Sequence, residues 1–262
     1  MPPAGRTYLG LERMEPISLE EMDSVKLMNR VDTKYVANEE DLDSLLLMAA
    51  EKGFRACLIE GRKITPYWSM YYDTDDLEMF RIHRAGHSVR QKIRVRTYEC
   101  TGNTFLEIKR KNNKGRTKKK RIPLPDPSAI NSEEASRFIA DQSWYSRDRV
   151  SEACTTSFHR ITLVNSQKTE RITLDTCLSF SNPRTGLNAG IPGAVIIELK
   201  QDGRLPSEMK EILLSLRIHP FKVSKYCIGT VLTTPTIFKG RFKEKVRRID
   251  KIRNRNNNNT DI

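Results

Sequence analysis

The sequence is poor in histidine and cysteine. Its 262 residues hold four histidines, His83, His87, His159 and His219, with no H-E-x-x-H motif and no shared spacing. Zinc hydrolase chemistry draws on such a set, so it has little to stand on here. The five cysteines (Cys57, Cys100, Cys154, Cys177 and Cys227) are odd in number, widely spread and form no C-x-x-C pair. A disulfide framework or structural zinc site needs paired spacing, so they are read as reduced and mostly buried. No stretch reaches the ~18 consecutive apolar residues of a membrane-spanning helix. The start, Met1-Pro2-Pro3-Ala4-Gly5, lacks the basic-then-apolar layout of a secretory signal. The expectation is a soluble, cytoplasmic protein. No G-x-x-x-x-G-K or G-x-G-x-x-G string occurs, which argues against P-loop and Rossmann nucleotide sites.

What is present is positive charge. The net charge is +13, which points to a polyanionic partner. Residues 239–262 carry nine Lys or Arg against three Asp or Glu, leaving +7 for the rest of the chain. That tail ends in an asparagine run and reads as a frayed helix or free arm. Ser18 and Glu21 form a capping box opening a helix through about Met28. A second helix is expected over Asn38–Lys52, with Gly53 as its stop. Further helices are expected over Ser132–Ala140, Ser207–Leu216 and Ser224–Leu232. Between these lie strand patterns at Thr33–Val36, Tyr67–Asp73, Gln91–Glu99 and Thr104–Lys111. More follow at Thr117–Pro123, Thr156–Val164, Arg171–Phe180 and Ala194–Lys200. The pattern is α+β on an antiparallel sheet, with 1–28 a helical segment, 29–238 the main domain and 239–262 a basic tail.

Successive strand residues face opposite ways. Lys92, Arg94 and Arg96 therefore share one face, with Ile93 and Val95 behind them. Glu107, Lys109 and Lys111 share a face against Leu106 and Ile108; Glu198 and Lys200 do so against Ile197 and Leu199. Any sheet with one wet side alternates in this way. Here, however, the window Arg81–Arg96 has six bases and no acid, and Lys109–Arg121 has nine and no acid. Like charges opposed across strands destabilise pairing. A bound polyanion would relieve that repulsion. A sheet curled shut would line a tunnel with the basic face and pack the apolar backs on helices.

Several strings bear a family resemblance: Asn29–Tyr35, Tyr71–Leu77, Arg90–Tyr98, Phe105–Arg121, Glu170–Asp175, Ile197–Lys200 and Phe221–Tyr226. In this order, over about residues 29–230, the chain resembles the polyphosphate polymerase (VTC) domain of the triphosphate tunnel, or CYTH-like, superfamily. The resemblance implies an antiparallel β-barrel tunnel with flanking helices, Mn²⁺ or Mg²⁺ dependence, and transfer of the γ-phosphate of ATP to inorganic polyphosphate. It implies that Lys34, Arg94, Arg96, Lys109, Arg171 and Lys225 are catalytic cations on the tunnel wall. Arg160, Lys222, Lys92 and Lys200 are expected to bind the phosphate chain, with Arg84, Arg90, Lys111, Arg116 and Arg121 as additions. Glu198, helped by Glu107, is the expected metal ligand. Fungal members carry membrane and phosphate-sensing domains that this sequence lacks, which leaves room for a membrane-associated partner protein. No specific nucleic-acid partner is expected, because the strands carry few base-stacking aromatics.

Phosphoryl transfer asks mainly for positioning and charge neutralisation. Arg binds phosphate oxygens bidentately and stays protonated; Lys acts as a point charge. The terminal oxygen of a phosphate chain is already anionic, so no protein base is needed. Asp73, Asp75 and Asp76 read as turn chemistry, and His83 is set beside the basic window as a weak phosphate contact. Two rivals stand: a triphosphate hydrolase on the same tunnel, and a non-catalytic polyphosphate- or RNA-binding module. The resemblance favours the polymerase through Ser224-Lys225-Tyr226 and through the lack of the E-x-E-x-K string of the hydrolase branch.

Overall fold

The structure, a computed structural model, describes residues 7–23, 30–203 and 205–255. Helix α1 (Leu9–Arg13) leads to β1 (Pro16–Ile17) and α2 (Leu19–Asp23). The capping box opens α2 as expected: the Ser18 and Glu21 amides each donate to the other's side chain at 3.1 Å. The expected end of that helix, at Met28, lies outside the described residues. Next come β2 (Arg30–Asn38) and α3 (Glu39–Glu51), whose first turn is capped by Asn38 Oδ1 accepting from the Glu40 amide at 3.0 Å. Gly53, at φ 73°, turns the chain out of α3, a conformation that costs other residues a steric penalty.

The chain continues through β3 (Arg55–Cys57), β4 (Ile64–Asp73), α4 (Glu78–Ala85), β5 (Arg90–Tyr98), β6 (Thr104–Lys111) and β7 (Thr117–Leu124). Then follow α5 (Glu133–Gln142), β8 (Ser151–Val164), β9 (Glu170–Ser181), β10 (Asn188–Gly190) and β11 (Ala194–Asp202). The last elements are α6 (Glu208–Ser215), α7 (Lys225–Thr233) and α8 (Phe242–Arg253).

The main sheet runs in the order β2-β11-β9-β8-β4-β5-β6-β7, each neighbour antiparallel. One face is apolar and packs on helices. Ile172, Leu174, Ile197 and Leu199 meet α3 and α6 residues such as Leu42, Leu45 and Leu213. Ile93, Val95, Leu106 and Ile108 meet Ile130, Ala135 and Ile139. Each fully buried aliphatic side chain contributes about 1.5–3 kcal/mol. The opposite, concave face carries the charged residues. Helix α7 fills one end of it, packing Tyr226, Cys227, Ile228 and Val231 against Val36, Tyr71, Phe158 and Ile196. Gly229 allows the approach, since a Cβ there would lie 2.6 Å from the Phe180 ring and 2.7 Å from Cys154 Sγ.

The fold differs from expectation at three places. The sheet does not close by hydrogen bonds: among the described residues β2 and β7 share no ladder. The edge of β2 is instead covered by the segment before α7, where Phe221 N donates to Lys34 O at 2.6 Å. Helix α4 had no local signature. It is capped by Asp73, whose buried carboxylate accepts from the amides of Thr74, Met79 and Phe80 at 2.8–2.9 Å and from the Tyr226 hydroxyl. The tail is not a free arm as far as Arg255: Phe242 and Ile249 are buried, and Asn38 Nδ2 donates to the carbonyls of Ile252 and Arg253 at 3.2 Å. Among the described residues no helix is long and apolar enough to cross a membrane. No disulfide joins the five cysteines, and three of them are buried.

Candidate active site

The register stacks cations on the concave face. Lys92 on β5 lies opposite Lys109 on β6, which lies opposite Lys119 on β7. Lys200 on β11 lies opposite Arg171 on β9, and Arg90 opposite Lys111 at the strand ends. Like charges so placed destabilise a sheet, and acids on the same face offset them, among them Asp32, Glu107, Asp175 and Glu198. Glu107 and Asp175 are occupied by cations within the wall. Glu107 Oε2 accepts from Arg94 Nε at 2.7 Å and Nη2 at 2.5 Å, while its other oxygen pairs with Lys119. Asp175 takes a bidentate fork from Arg160, at 2.6 and 2.9 Å, and also the Lys225 ammonium.

Polar neighbours hold the remaining cations in place. Arg96 Nε donates to Ser69 Oγ at 3.0 Å, and Arg94 Nη1 to the Tyr71 hydroxyl at 3.0 Å. Lys92 Nζ donates to Ser224 Oγ, the cap of α7, at 2.8 Å. Arg160 and Lys225 lie over the Phe158 ring at 5.2 and 4.5 Å, a cation–π placement.

Glu198 is different. It sits opposite Lys34 and Thr173. Among the described residues no hydrogen bond or ion pair within 4.0 Å engages its carboxylate. Burial would push that carboxyl up, but the charges of Lys34, Lys200, Lys109 and Arg160 outweigh it and hold the pKa well below the usual range. Lys109 is five strands away in sheet order, with four strands between, so its influence on Glu198 shows the two walls facing one another across a common space. Burial, reinforced by neighbouring cations, brings Lys92, Lys200 and Lys225 down to about 8. Burial raises Tyr71, but Arg94, Lys92 and Arg96 overcome it and bring the phenol down to about 7. These groups are tuned to an interior crowded with positive charge.

The expected site residues are placed as follows. Lys34, Arg94, Arg96, Lys109 and Arg171 join Lys92, Arg160 and Lys200 on the concave face, with Lys225 reaching in from α7. Arg121 is at the rim, its guanidinium 4.5 Å from the Phe105 ring. Arg116 is exposed in the β6–β7 turn, and Lys222 is exposed ahead of α7. Arg84 stands apart on α4, where Nη1 donates to the Phe238 carbonyl at 2.9 Å. His83 faces the α7–α8 packing, with Nδ1 3.1 Å from Cys227 Sγ and its ring edge-on to Phe242. Sequence reasoning missed Ser69, Tyr71, Lys119, Asp175 and Ser224. Strand parity puts the first four on the correct face, but only the register shows which cation each one meets.

A family model for the VTC domain matches residues 29–234. The chain belongs to the VTC domain family. The VTC assignment fits the charged concave face, and it makes this a protein that handles triphosphate or polyphosphate. Among curated proteins no relative matches. Solved structures share the triphosphate tunnel fold. An adenylate cyclase-like protein from Bacillus halodurans matches at TM-score 0.50 and 15% identity, over 75% of this chain and 96% of that one. An adenylyl cyclase-like protein from Hippeastrum, described as having a dominant triphosphatase activity, matches at TM-score 0.50 and 14% identity, over 76% and 94%. At such identities the likeness establishes the fold alone.

Proposed function

We propose that this VTC domain is a polyphosphate polymerase. It moves the γ-phosphoryl group of ATP onto the terminal phosphate of a polyphosphate chain. A terminal phosphate oxygen attacks the γ-phosphorus, the bond to the β,γ-bridging oxygen breaks, and ADP leaves. The observation that carries this reading is the unpaired, deprotonated Glu198 among Lys34, Lys109, Lys200 and Arg160.

The residues present fit a hard divalent cation. Among the described residues no group of three or more His, Cys, Asp or Glu could hold a metal by itself. A single free carboxylate suits Mg²⁺ or Mn²⁺, which keep waters and take substrate phosphate oxygens as their other ligands. Glu198 would hold the ion, which when bound neutralises charge on the phosphates. Glu107, already bound by Arg94 and Lys119, acts first as a positioner of those cations. Arg94, Arg96 and Lys34 orient the triphosphate, and Lys225 faces the chain from α7.

The acids also bear on the hydrolase reading. Burial raises Glu107 and Asp175, but adjacent cations outweigh it, bringing Glu107 to about 2 and Asp175 well below normal. Such carboxylates are weak bases for activating water. An anionic phosphate nucleophile needs no such help. Incubating the protein with ATP and Mn²⁺ and resolving the products on a gel tests the proposal. A ladder of long phosphate chains is expected; free phosphate alone would make the protein a triphosphatase.

A further inference from the structure

Helix α8 carries a row of cations that the catalytic site leaves without a role. We propose that Arg241, Lys245 and Arg248 form a phosphate track outside the bore, continuing from Arg90 and Lys222, which holds the polyphosphate chain as it leaves. The proposal rests on the reading that the bore binds phosphate chains.

Continuity is the first support. Lys92, inside the bore, is bonded to Ser224 at 2.8 Å, and Arg90 follows on the same strand face, two residues toward the rim. Lys222, two residues before Ser224, accepts a hydrogen bond from Lys245 Nζ at its carbonyl, at 2.5 Å. The guanidinium of Arg248 lies 5.1 Å from the Phe221 ring, and Arg241 Nη2 donates to the Ala85 carbonyl at 3.1 Å. Burial, then the charges of Arg241, Lys222 and Arg90, lower the Lys245 pKa. The cations are therefore close enough to repel one another.

Helical spacing is the second support. Positions 241, 245 and 248 fall on one flank of a helix. The two acids of α8 are engaged elsewhere, Glu244 with Arg247 at 2.8 Å and Asp250 with Arg253 at 2.9 Å. The flank is thus a stripe of cations, each anchored by a backbone or ring contact. A flexible chain bearing one negative charge per phosphate can follow such a stripe without any base-specific contact.

The test compares affinities of the full chain for long-chain inorganic polyphosphate and for tripolyphosphate. Lys245→Gln/Arg248→Gln is expected to weaken long-chain binding about ten-fold and to leave tripolyphosphate within about two-fold. Lys243→Gln/Arg247→Gln removes equal charge from the outer flank and is expected to cost less than about three-fold on either ligand. Lys245→Arg/Arg248→Lys should restore wild-type binding, which separates charge from folding. Equal long-chain losses in both Gln pairs would reduce the stripe to a general field effect. An equal loss of tripolyphosphate would put the stripe inside the bore. Single-stranded RNA binding as tightly as polyphosphate, with the same loss in the stripe variant, would assign it to nucleic acid instead. Each of these three outcomes overturns the proposal. A wild-type protein that fails to bind tripolyphosphate at all sinks the bore reading itself.

Discussion

Glu107 and Glu198 share the concave face but have opposite fates. On the β5–β6–β7 wall, Glu107 is 2% exposed and bound on both oxygens by Arg94 and Lys119. On the β2–β11–β9 wall, Glu198 is surrounded by positive potential and bonded to none of the described groups. Residue type does not separate them, and although Glu107 is buried and Glu198 only half-buried, exposure alone does not pair one and leave the other. The reach of the opposing side chain does: Lys119 approaches diagonally across the β6–β7 register, whereas Lys34, directly across from Glu198 on β2, makes no ion pair with it. A carboxylate already satisfied by Arg fixes geometry; one held charged yet unpaired is ready for a cation.

The sharpest way to break this contrast is to neutralise each acid in turn. Glu198→Gln is expected to lower turnover by at least about 10²–10³-fold while preserving phosphate-chain binding. Glu107→Gln should leave metal dependence intact and loosen triphosphate binding. Parallel steady-state kinetics and binding titrations check both, and a Glu198→Gln enzyme with full activity would remove that residue from the metal site. Next in size is Arg94→Ala, which removes charge-assisted hydrogen bonds worth about 1.5–3 kcal/mol. Triphosphate affinity should fall roughly ten- to hundred-fold. The thermal transition should persist, because Lys119 still pairs with the Glu107 left behind. A collapsed transition in ligand-free buffer would make Arg94 structural.

The charged face was legible in the sequence, but the contrast between its two glutamates was not, since both read as metal ligands. The period-2 alternation at Lys92, Arg94 and Arg96 identified the charged face, because parity along a strand needs no tertiary knowledge. The Ser18–Glu21 box and the helix starts near Asn38 and Ser224 were equally local. The pairing of Glu107 with Lys119 was not legible, since it depends on the length of the β6–β7 turn. Helix α4 was missed because its cap, Asp73, comes from the end of β4, six and seven residues before the amides it accepts. The tail was read by charge, which hid the apolar pair Phe242 and Ile249 on its buried side.

A smaller effect concerns pH. Lys92, Lys200 and Lys225 lie near 8 in the folded protein against 10.5 unfolded, so between these values the unfolded chain binds more protons. Stability of the ligand-free protein should therefore rise with pH across that window. Tyr71, near 7 folded against 10 unfolded, acts in the same direction. Melting temperatures measured from about pH 7 to pH 9.5 should climb, and saturating polyphosphate should flatten the climb by restoring the lysines' protons. Calorimetry at pH 8 in buffers of different ionisation enthalpy should show proton uptake on binding. Proton release would mean that the lysines are not contacted.

The smallest expected change is Ser224→Ala, which removes the α7 cap and the Lys92 contact. A loss of about 1 kcal/mol is expected, or about 2–4 °C in melting temperature.

The most direct test of the whole account is a crystal structure with tripolyphosphate and Mg²⁺. The phosphates should lie between the walls, on Lys34, Arg94 and Arg96, with a Glu198 oxygen about 2.0–2.1 Å from the metal. Phosphate found only on the outer lysines of β7, Lys118 and Lys120, with nothing between the walls, would contradict it.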